Sequence, residues 1–265
     1  MVLSLMEVRT ATPANPSDRT HEEEPSRVRR RHRLRGWLRA VAIAVSALVV
    51  AGGLLVAATW VTTPSVDGAL ARAQRVAREH GGTPLAPGHV PATLATALID
   101  TEDAGFLSEP GISPRGIARA LLVDVPNHCL CQGGSTIDQQ LVENLYLPTR
   151  GKSIPQYWRG AVMALKLDRR FTKEEILAAY FSEVYLGHEA YGAVMAARVY
   201  FHRPLQDLTL TQYAMLAGLP QAPSLYDPIA HPLLARDRLR VVLSAMVANG
   251  HLTSRQAAVA AQGAL

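Results

Sequence analysis

The sequence predicts an all-α protein that carries one transmembrane helix. Three observations support this fold class. Apolar residues return at helical spacing through most of the chain after Pro91, no stretch alternates apolar and polar residues as a strand does, and Val41 to Val61 contains no charge. Hydrophobic residues make up 48% of the 265 residues, so the chain can build a sizeable core as one large domain or two small ones.

The first 36 residues are predicted to form a disordered tail in the cytoplasm. Residues 1 to about 26 are rich in Pro, Ser, Thr and Glu and show no apolar period. A basic run from Arg27 to Arg35 follows, in a chain whose formal net charge is +5. Such a run is compatible with a nucleic-acid contact, but the apolar segment behind it favours a membrane flank. We therefore expect no nucleic-acid partner.

Residues 37 to 61 are predicted to span the cell membrane once. About 20 apolar residues, each rising about 1.5 Å, cross a hydrocarbon core of ~30 Å. The arginines before the run place that end in the cytoplasm, and Trp60 suits the opposite interface, which leaves the remainder of the chain outside. The run is too long and too far from Met1 for a cleaved signal peptide. Its length and flanks disfavour the alternative of a buried core helix.

Residues 62 to 90 are predicted to be a linker, and residues 91 to 265 the folded domain. The linker is rich in Thr, Pro, Gly and Ala. It contains one short helix around Leu70 to Arg78 and an extended stretch from Thr83 to Pro91. The domain is therefore expected to begin near Pro91, close to the membrane.

The first helix of this domain ends in two neighbouring carboxylates, Glu102 and Asp103. Adjacent residues on a helix point about 100° apart, so we expect the two to have different tasks. One can face a cleft while the other caps a helix or pairs with a base. The alternative is an acidic, solvated helix end, which is the commoner outcome for such pairs.

A second stretch with chemical content is Gly133 to Leu147. Two glycines allow a sharp turn, and Ser135 or Thr136 can cap the helix that contains Gln139 and Gln140. This pattern predicts a loop-to-helix junction whose N–H groups and hydroxyls face an anionic or hydroxylated ligand, such as phosphate or sugar. The alternative is a capped surface helix that binds nothing.

Basic residues follow this helix. The loop Pro148 to Ser153 contains Arg150 and Lys152, and Arg159 continues the charge. These cations could hold a pyrophosphate or form a solvated face. Phe171 to Leu186 is predicted to be a helix that begins with a capping box.

The only cysteines, Cys129 and Cys131, do not have the spacing of a zinc site. A second pair of ligands is also missing from the sequence. We therefore expect no metal here, and either a local disulfide or two free thiols.

Three stretches resemble one family. GGSTIDQQLVENL resembles the second signature motif of the peptidoglycan glycosyltransferases, which comprise the glycosyltransferase domain of class A penicillin-binding proteins and their monofunctional relatives. TEDAGFLSEPGISPRGIARAL resembles the first motif, and KEEILAAYFSEVYLG the fourth. The resemblance covers about Pro91 to Ala245. Because the chain ends soon afterwards, we expect no transpeptidase domain behind it.

The resemblance implies a lysozyme-like all-α domain with a smaller membrane-facing lobe, and an enzyme that polymerises lipid II into glycan strands. Glu102 matches the catalytic base. Cationic groups, or a divalent Mg or Mn ion, would hold the undecaprenyl pyrophosphate that leaves. The expected partners are lipid II, the growing glycan strand, the membrane and other proteins of cell-wall synthesis or division. The substrate-binding residues would be Asp103, Phe106, Arg119, Gly134, Ser135, Thr136, Gln139, Gln140, Asn144, Arg150, Lys152 and Arg159.

The sequence also departs from the family pattern. Gly160 stands where the third motif has an acidic residue, Gln156 and Tyr157 replace its Arg-Lys pair, Glu143 replaces a lysine and Glu109 a histidine. Two hypotheses follow: an active enzyme in which Arg150, Lys152 and Arg159 supply the missing contacts, or a scaffold that binds lipid II or glycan without polymerising it. Glu109 or Glu143 could also take over the task of the missing carboxylate. A lytic enzyme with Glu102 as acid is a third and weaker hypothesis.

Overall fold

The computed structural model describes residues 24–114, 116, 135–147 and 154–264. Within these residues the chain is helical and contains no β-strand, which confirms the all-α prediction. Two compact units are present, Met1–Ala57 and Ala58–Leu265, and the second holds the hydrophobic core. The helices are α1 (Glu24–Thr62), α2 (Ala69–Glu79), α3 (Ala92–Glu102), α4 (Ile137–Tyr146), α5 (Ile154–Arg170), α6 (Lys173–Glu183), α7 (Ala193–Phe201), α8 (Leu210–Gly218), α9 (Pro232–Ala248) and α10 (Ser254–Ala261).

Helix α1 contains the apolar segment. In the described residues, Gly36–Thr62 is the one stretch long and apolar enough to cross a membrane, with a mean hydropathy of 2.6 and no buried residues in that window. The predicted disorder is wrong for residues 24–36, which are helical. Arginine is a good helix former, so the basic run extends the apolar helix instead of interrupting it. Residues 1–23 lie outside the described part of the chain.

The folded domain begins before Pro91. Helix α2, which confirms the short predicted helix, packs against α6. Leu85, in the predicted extended stretch, is buried and donates its N–H to Oγ of Ser182 at 2.9 Å. The prediction that residues 62–90 are only a linker is therefore wrong, because small side chains four residues apart let α2 lie close to the core. The fully buried residues of α2 are Ala69, Ala73 and Ala77.

Helices α3, α8 and α9 pack together, and α10 covers α9. Helix α8 is buried over most of its length because it is apolar on nearly every side. Its last residue, Gly218, leaves room for α9. A Cβ atom there would lie 3.0 Å from Cγ of Arg238 and 3.1 Å from Cγ2 of Val242. This close approach brings Arg238 to the C-terminal end of α3.

Helices α4, α5 and α6 form the other side of the core. Both α4 and α6 begin with a capping box, in which a threonine side chain and the side chain three residues later exchange hydrogen bonds with backbone N–H groups. The pairs are Thr136 with Gln139 and Thr172 with Glu175. These local bonds confirm the predicted helix starts and fix where α4 enters the domain.

Candidate active site

A cleft of about 1500 Å³ runs between the two groups of helices. It is lined from the ends of α2, α3 and α6, from α4 and α9, and from the segments after α6 and α8. Four predicted site residues lie along it: Glu102, Ser135, Gln140 and Asn144. Other residues that line it and enter the argument below are Glu143, Leu147, Glu183 and Arg238.

Glu102, the last residue of α3, has both carboxylate oxygens held. Oε2 accepts a hydrogen bond from Nε2 of Gln140 at 3.1 Å. Oε1 pairs with Nη2 of Arg238 at 2.8 Å, and the two side chains are only 15% and 7% exposed. A partly buried, charge-assisted bond of this kind fixes a side chain more firmly than a surface ion pair does. Glu102 therefore lies at the cleft in one defined orientation.

Gln140 is itself oriented by Tyr180 of α6. The Tyr180 hydroxyl donates to Oε1 of Gln140 at 2.8 Å, so the amide nitrogen is directed toward Glu102. Burial, together with the nearby carboxylates of Glu102 and Glu183, raises the pKa of Tyr180 well above its ordinary value. The phenol thus keeps its proton at neutral pH and continues to donate. The three residues form one hydrogen-bonded chain.

Arg238 holds Glu102 from the opposite side. Its Nε donates to the carbonyl oxygen of Gly218 at 2.9 Å, and its guanidinium lies 5.7 Å from the centroid of the Tyr226 ring. These contacts leave Nη2 directed at Glu102. Arg238 could not be predicted from the sequence, because 136 residues separate it from Glu102 and no local pattern links the two.

Asp103 has a different task from Glu102, as predicted for adjacent carboxylates. Its Oδ2 accepts the backbone N–H of Ile137, in the first turn of α4, at 3.1 Å. Burial raises the pKa of Asp103. The prediction that the N–H groups of this turn face a ligand is wrong for Ile137 and Gln139, because Asp103 and Thr136 accept them.

Thr136, Gln139 and Phe106 are buried and do not line the cleft. The Thr136 hydroxyl donates to the carbonyl oxygen of Gly111 at 2.7 Å, which ties α4 to the segment after α3. Phe106 is 1% exposed, with Nζ of Lys173 4.3 Å from its ring centroid. The structure thus places these predicted binding residues beneath the site, where they hold α4 in position.

Glu183 is a second carboxylate at the cleft, at the end of α6. Its side chain is almost fully buried, and its Oε1 accepts from Nδ2 of Asn144 at 3.0 Å. Burial raises the pKa of Glu183 to about 8, while the bond from Asn144 lowers it. The carboxyl group is therefore mostly protonated at neutral pH. The sequence contained a signal for this buried carboxyl group, since Glu183 falls three residues after Tyr180 and therefore lies on the buried side of the predicted helix.

The family follows from a comparison with known proteins. A family model described as transglycosylase matches residues 69–247. The chain belongs to the transglycosylase family. Its relatives include penicillin-binding protein 1A of Aquifex aeolicus, 40% identical over 167 residues, which are 63% of this chain and 23% of the relative. That of Haemophilus influenzae is 40% identical over 173 residues, 65% of this chain and 20% of the relative.

The transglycosylase chain spans about a fifth of the length of these curated relatives. The crystal structure of Haemophilus influenzae penicillin-binding protein 1A covers 69% of this chain and 17% of its own, at 23% identity and a TM-score of 0.42. The family match begins at Ala69, the first residue of α2. It therefore agrees with the packing in placing the start of the domain before Pro91.

Two of the departures from the family motifs, Glu143 and Gly160, lie side by side in this transglycosylase domain. A Cβ atom on Gly160 would lie 3.8 Å from Oε1 of Glu143, and Glu143 lines the cleft. Glu109 does not line it, and the exposed Arg159 does not either. Other predicted residues lie outside the described part of the chain: Arg119, Cys129, Cys131, Gly134, Arg150 and Lys152.

The described lining of the cleft is acidic. Arg238 is its only arginine or lysine, and it is paired with Glu102. Within the same part of the chain, no group of three or more His, Cys, Asp or Glu residues is arranged to hold a metal ion. The described protein groups therefore do not form a complete metal site. The carboxylates along the cleft are Glu79, Glu102, Glu143, Glu183 and Glu189.

Proposed function

We propose that this domain is a peptidoglycan glycosyltransferase that polymerises lipid II into glycan strands and releases undecaprenyl pyrophosphate. The observation that carries the proposal is the carboxylate of Glu102, held at a large cleft by Gln140 and Arg238 in a member of the transglycosylase family. A general base must be positioned within hydrogen-bond reach of the proton it removes. The two donors to Glu102 supply that positioning.

In the proposed reaction, the 4-hydroxyl of one disaccharide attacks the anomeric carbon of the growing chain. The new C–O bond forms as the bond to the pyrophosphate oxygen breaks, with inversion at the carbon. Glu102 takes the hydroxyl proton and later releases it to solvent. A carboxylate can accept about four hydrogen bonds, so the oxygens that accept from Gln140 and Arg238 can also accept from the attacking hydroxyl.

The departing pyrophosphate needs positive charge. Since Arg238 is paired with Glu102, we assign this task to Arg150 and Lys152, which lie between α4 and α5 in the sequence. Leu147, the last described residue before them, lines the cleft. A Mg or Mn ion is a further candidate, and it would add positive charge at the leaving oxygens. The described residues supply too few ligands to bind it without the substrate.

We also propose that α1 anchors the enzyme in the cell membrane, with the N-terminus in the cytoplasm and the cleft outside. The apolar length of Gly36–Thr62 and the arginines before it support this orientation. A lipid-linked substrate is confined to the bilayer, so an anchored domain meets it at high local concentration.

A scaffold that binds lipid II or glycan without polymerising it is the second candidate. The side-by-side positions of Glu143 and Gly160 favour it, because an added carboxylate beside a pyrophosphate repels the leaving group. In this case the cleft binds the sugars, and no chain grows.

The experiment is polymerisation of labelled lipid II by the full-length protein in detergent, with and without Mg or Mn. Glycan strands are resolved on a gel. Glu102→Gln tests the base, and Glu174→Gln, an exposed change at the start of α6, is the matched control. Polymer from the wild type and the control but not from Glu102→Gln supports the enzyme. No polymer from the wild type, with lipid II still bound, contradicts it and supports the scaffold.

A further inference from the structure

A second cavity, of about 430 Å³, lies away from the cleft and is lined by cations. It is formed by the last turn of α1, the segment that follows it, and the C-terminal end of α5. Three basic side chains face one carboxylate there, that of Asp67. We call this cavity the basic pocket, and it is lined by Trp60, Val61, Thr63, Ser65, Val66, Asp67, Lys166, Arg169 and Arg170.

The cations of the basic pocket are held in place by their neighbours. Nζ of Lys166 donates to the carbonyl oxygen of Thr63 at 2.9 Å. Arg170 pairs with Asp67 at 2.7 Å. The guanidinium of Arg169 lies 5.1 Å from the centroid of the Trp60 ring and makes no hydrogen bond within the described part of the chain. An arginine has five N–H donors in a plane, so those of Arg169 remain available to a ligand.

The basic pocket begins where the apolar segment ends. Trp60 and Val61 belong to the last turn of α1 and to the Gly36–Thr62 segment, and Val61 is 83% exposed. If this segment spans a bilayer, its last turn lies at the level of the lipid headgroups, where tryptophan is enriched. Headgroup phosphates are then the nearest anions outside the protein.

We propose that the basic pocket binds the phosphate headgroup of an anionic phospholipid. The three cations of the pocket carry two more positive charges than Asp67 can balance. A guanidinium with free donors also suits phosphate oxygens. Lys166 and Arg169 both lie over the Trp60 ring. Their positive charges disfavour the binding of a choline cation to the same ring. The pocket therefore prefers an anionic lipid over a zwitterionic one. This inference rests on the proposed membrane span and is independent of polymerisation.

Native mass spectrometry of the full-length protein in an uncharged detergent tests this inference. The protein is titrated with phosphatidylglycerol and, separately, with phosphatidylcholine of the same chains. Arg169→Gln removes an exposed cation that has no hydrogen-bond partner in the described part of the chain. Lys166→Gln removes a second cation, one that donates to the carbonyl oxygen of Thr63. Arg75→Gln, an exposed change on α2 outside the pocket, is the control. The basic run from Arg27 to Arg35, in the first part of α1, is the same in all variants and adds an equal background.

We expect each pocket variant to bind phosphatidylglycerol about fivefold more weakly, with the control and the phosphatidylcholine titration unchanged. Equal affinity of all variants for phosphatidylglycerol overturns the proposal, as does wild-type binding of phosphatidylcholine at the same strength. Binding of soluble glycerol phosphate as tightly as the lipid also overturns it, because the pocket then holds a free anion. Flotation of the protein with vesicles tests only whether the apolar segment of α1 inserts into a membrane. Loss of the proposed lipid binding by the pocket can therefore be told apart from loss of the membrane anchor.

Discussion

The side chain of Glu143 on α4 lies beside Gly160 on α5, where a Cβ atom would be 3.8 Å from its Oε1. The two largest departures from the family motifs are therefore neighbours. Relative to the family motifs, a carboxylate is missing from α5 and another is present beside that position on α4, where Glu143 lines the cleft. Glu109, the other candidate to replace the lost carboxylate, does not line the cleft.

If Glu143 takes over the task of the missing carboxylate, Glu143→Gln should lower kcat for lipid II polymerisation about tenfold to a hundredfold, because a lost hydrogen bond to a charged group costs about 1.5–3 kcal/mol. If Glu143 instead repels the departing pyrophosphate, the same change should raise kcat. The double change Glu143→Lys with Gly160→Glu restores the family's charges and should keep activity above that of Gly160→Glu alone. Gel assays with Glu174→Gln as control measure both effects. An unchanged kcat for Glu143→Gln would show that this carboxylate takes no part.

Gly160→Ala is expected to stabilise the protein by about 0.5–1 kcal/mol, since glycine inside a helix costs about that much relative to alanine. The nearest atoms to the new Cβ lie at 3.8–3.9 Å, which is ordinary contact. Gly111→Ala is the contrasting variant. Gly111 has a φ of +74° and a Cβ there would lie 2.6 Å from the carbonyl oxygen of Ala164, so this change should destabilise. Denaturant unfolding in detergent measures both, and a less stable Gly160→Ala would contradict the argument.

Arg238→Lys is expected to lower kcat about tenfold to a hundredfold with little change in KM. A lysine keeps the charge, but it cannot donate to the Gly218 carbonyl oxygen and to Glu102 at the same time in the way the guanidinium does. Glu102 then loses its orientation, while the contacts that bind the sugars are unchanged. Arg240→Lys, an exposed change on the same helix, serves as the control. A rise in KM alone would instead indicate that Arg238 contacts substrate.

Glu183→Gln is expected to flatten the dependence of stability on pH. The pKa of Glu183 rises from an ordinary value of 4.5 to about 8 on folding, so the folded state holds a proton that the unfolded state releases between these values. The free energy of unfolding of the wild type therefore falls as pH rises through this window. Glutamine stays neutral and still accepts from Asn144, so the variant should be more stable than the wild type above pH 8. Unfolding at several pH values checks this, and parallel curves would refute it.

Local signals predicted part of this structure well. Capping boxes need only four consecutive residues, so the starts of α4 and α6 were visible in the sequence. The different tasks of Glu102 and Asp103 followed from helical geometry alone. Gln140 was assigned to the site by the family motif, and its bond to Glu102 agrees with that assignment.

Long-range packing decided what the sequence did not predict. Helix α2 looked like a linker because its buried face consists of alanines, which give a weak apolar signal. Thr136 and Gln139 have the chemistry of ligand contacts, yet they satisfy each other and the helix start. Arg238 comes from a helix far along the chain, and only the close packing at Gly218 brings it to Glu102.

The adjacent residues Glu102 and Asp103 both bond to α4, one through Gln140 and the other through the N–H of Ile137. These two bonds and the covalent backbone close a ring between α3 and α4, so the base and its amide partner move as one body. Arg238 reaches Glu102 from α9 by a single bond. A displacement of α9 relative to α3 and α4 would therefore break the bond from Arg238 to Glu102 and leave the bond from Gln140 intact.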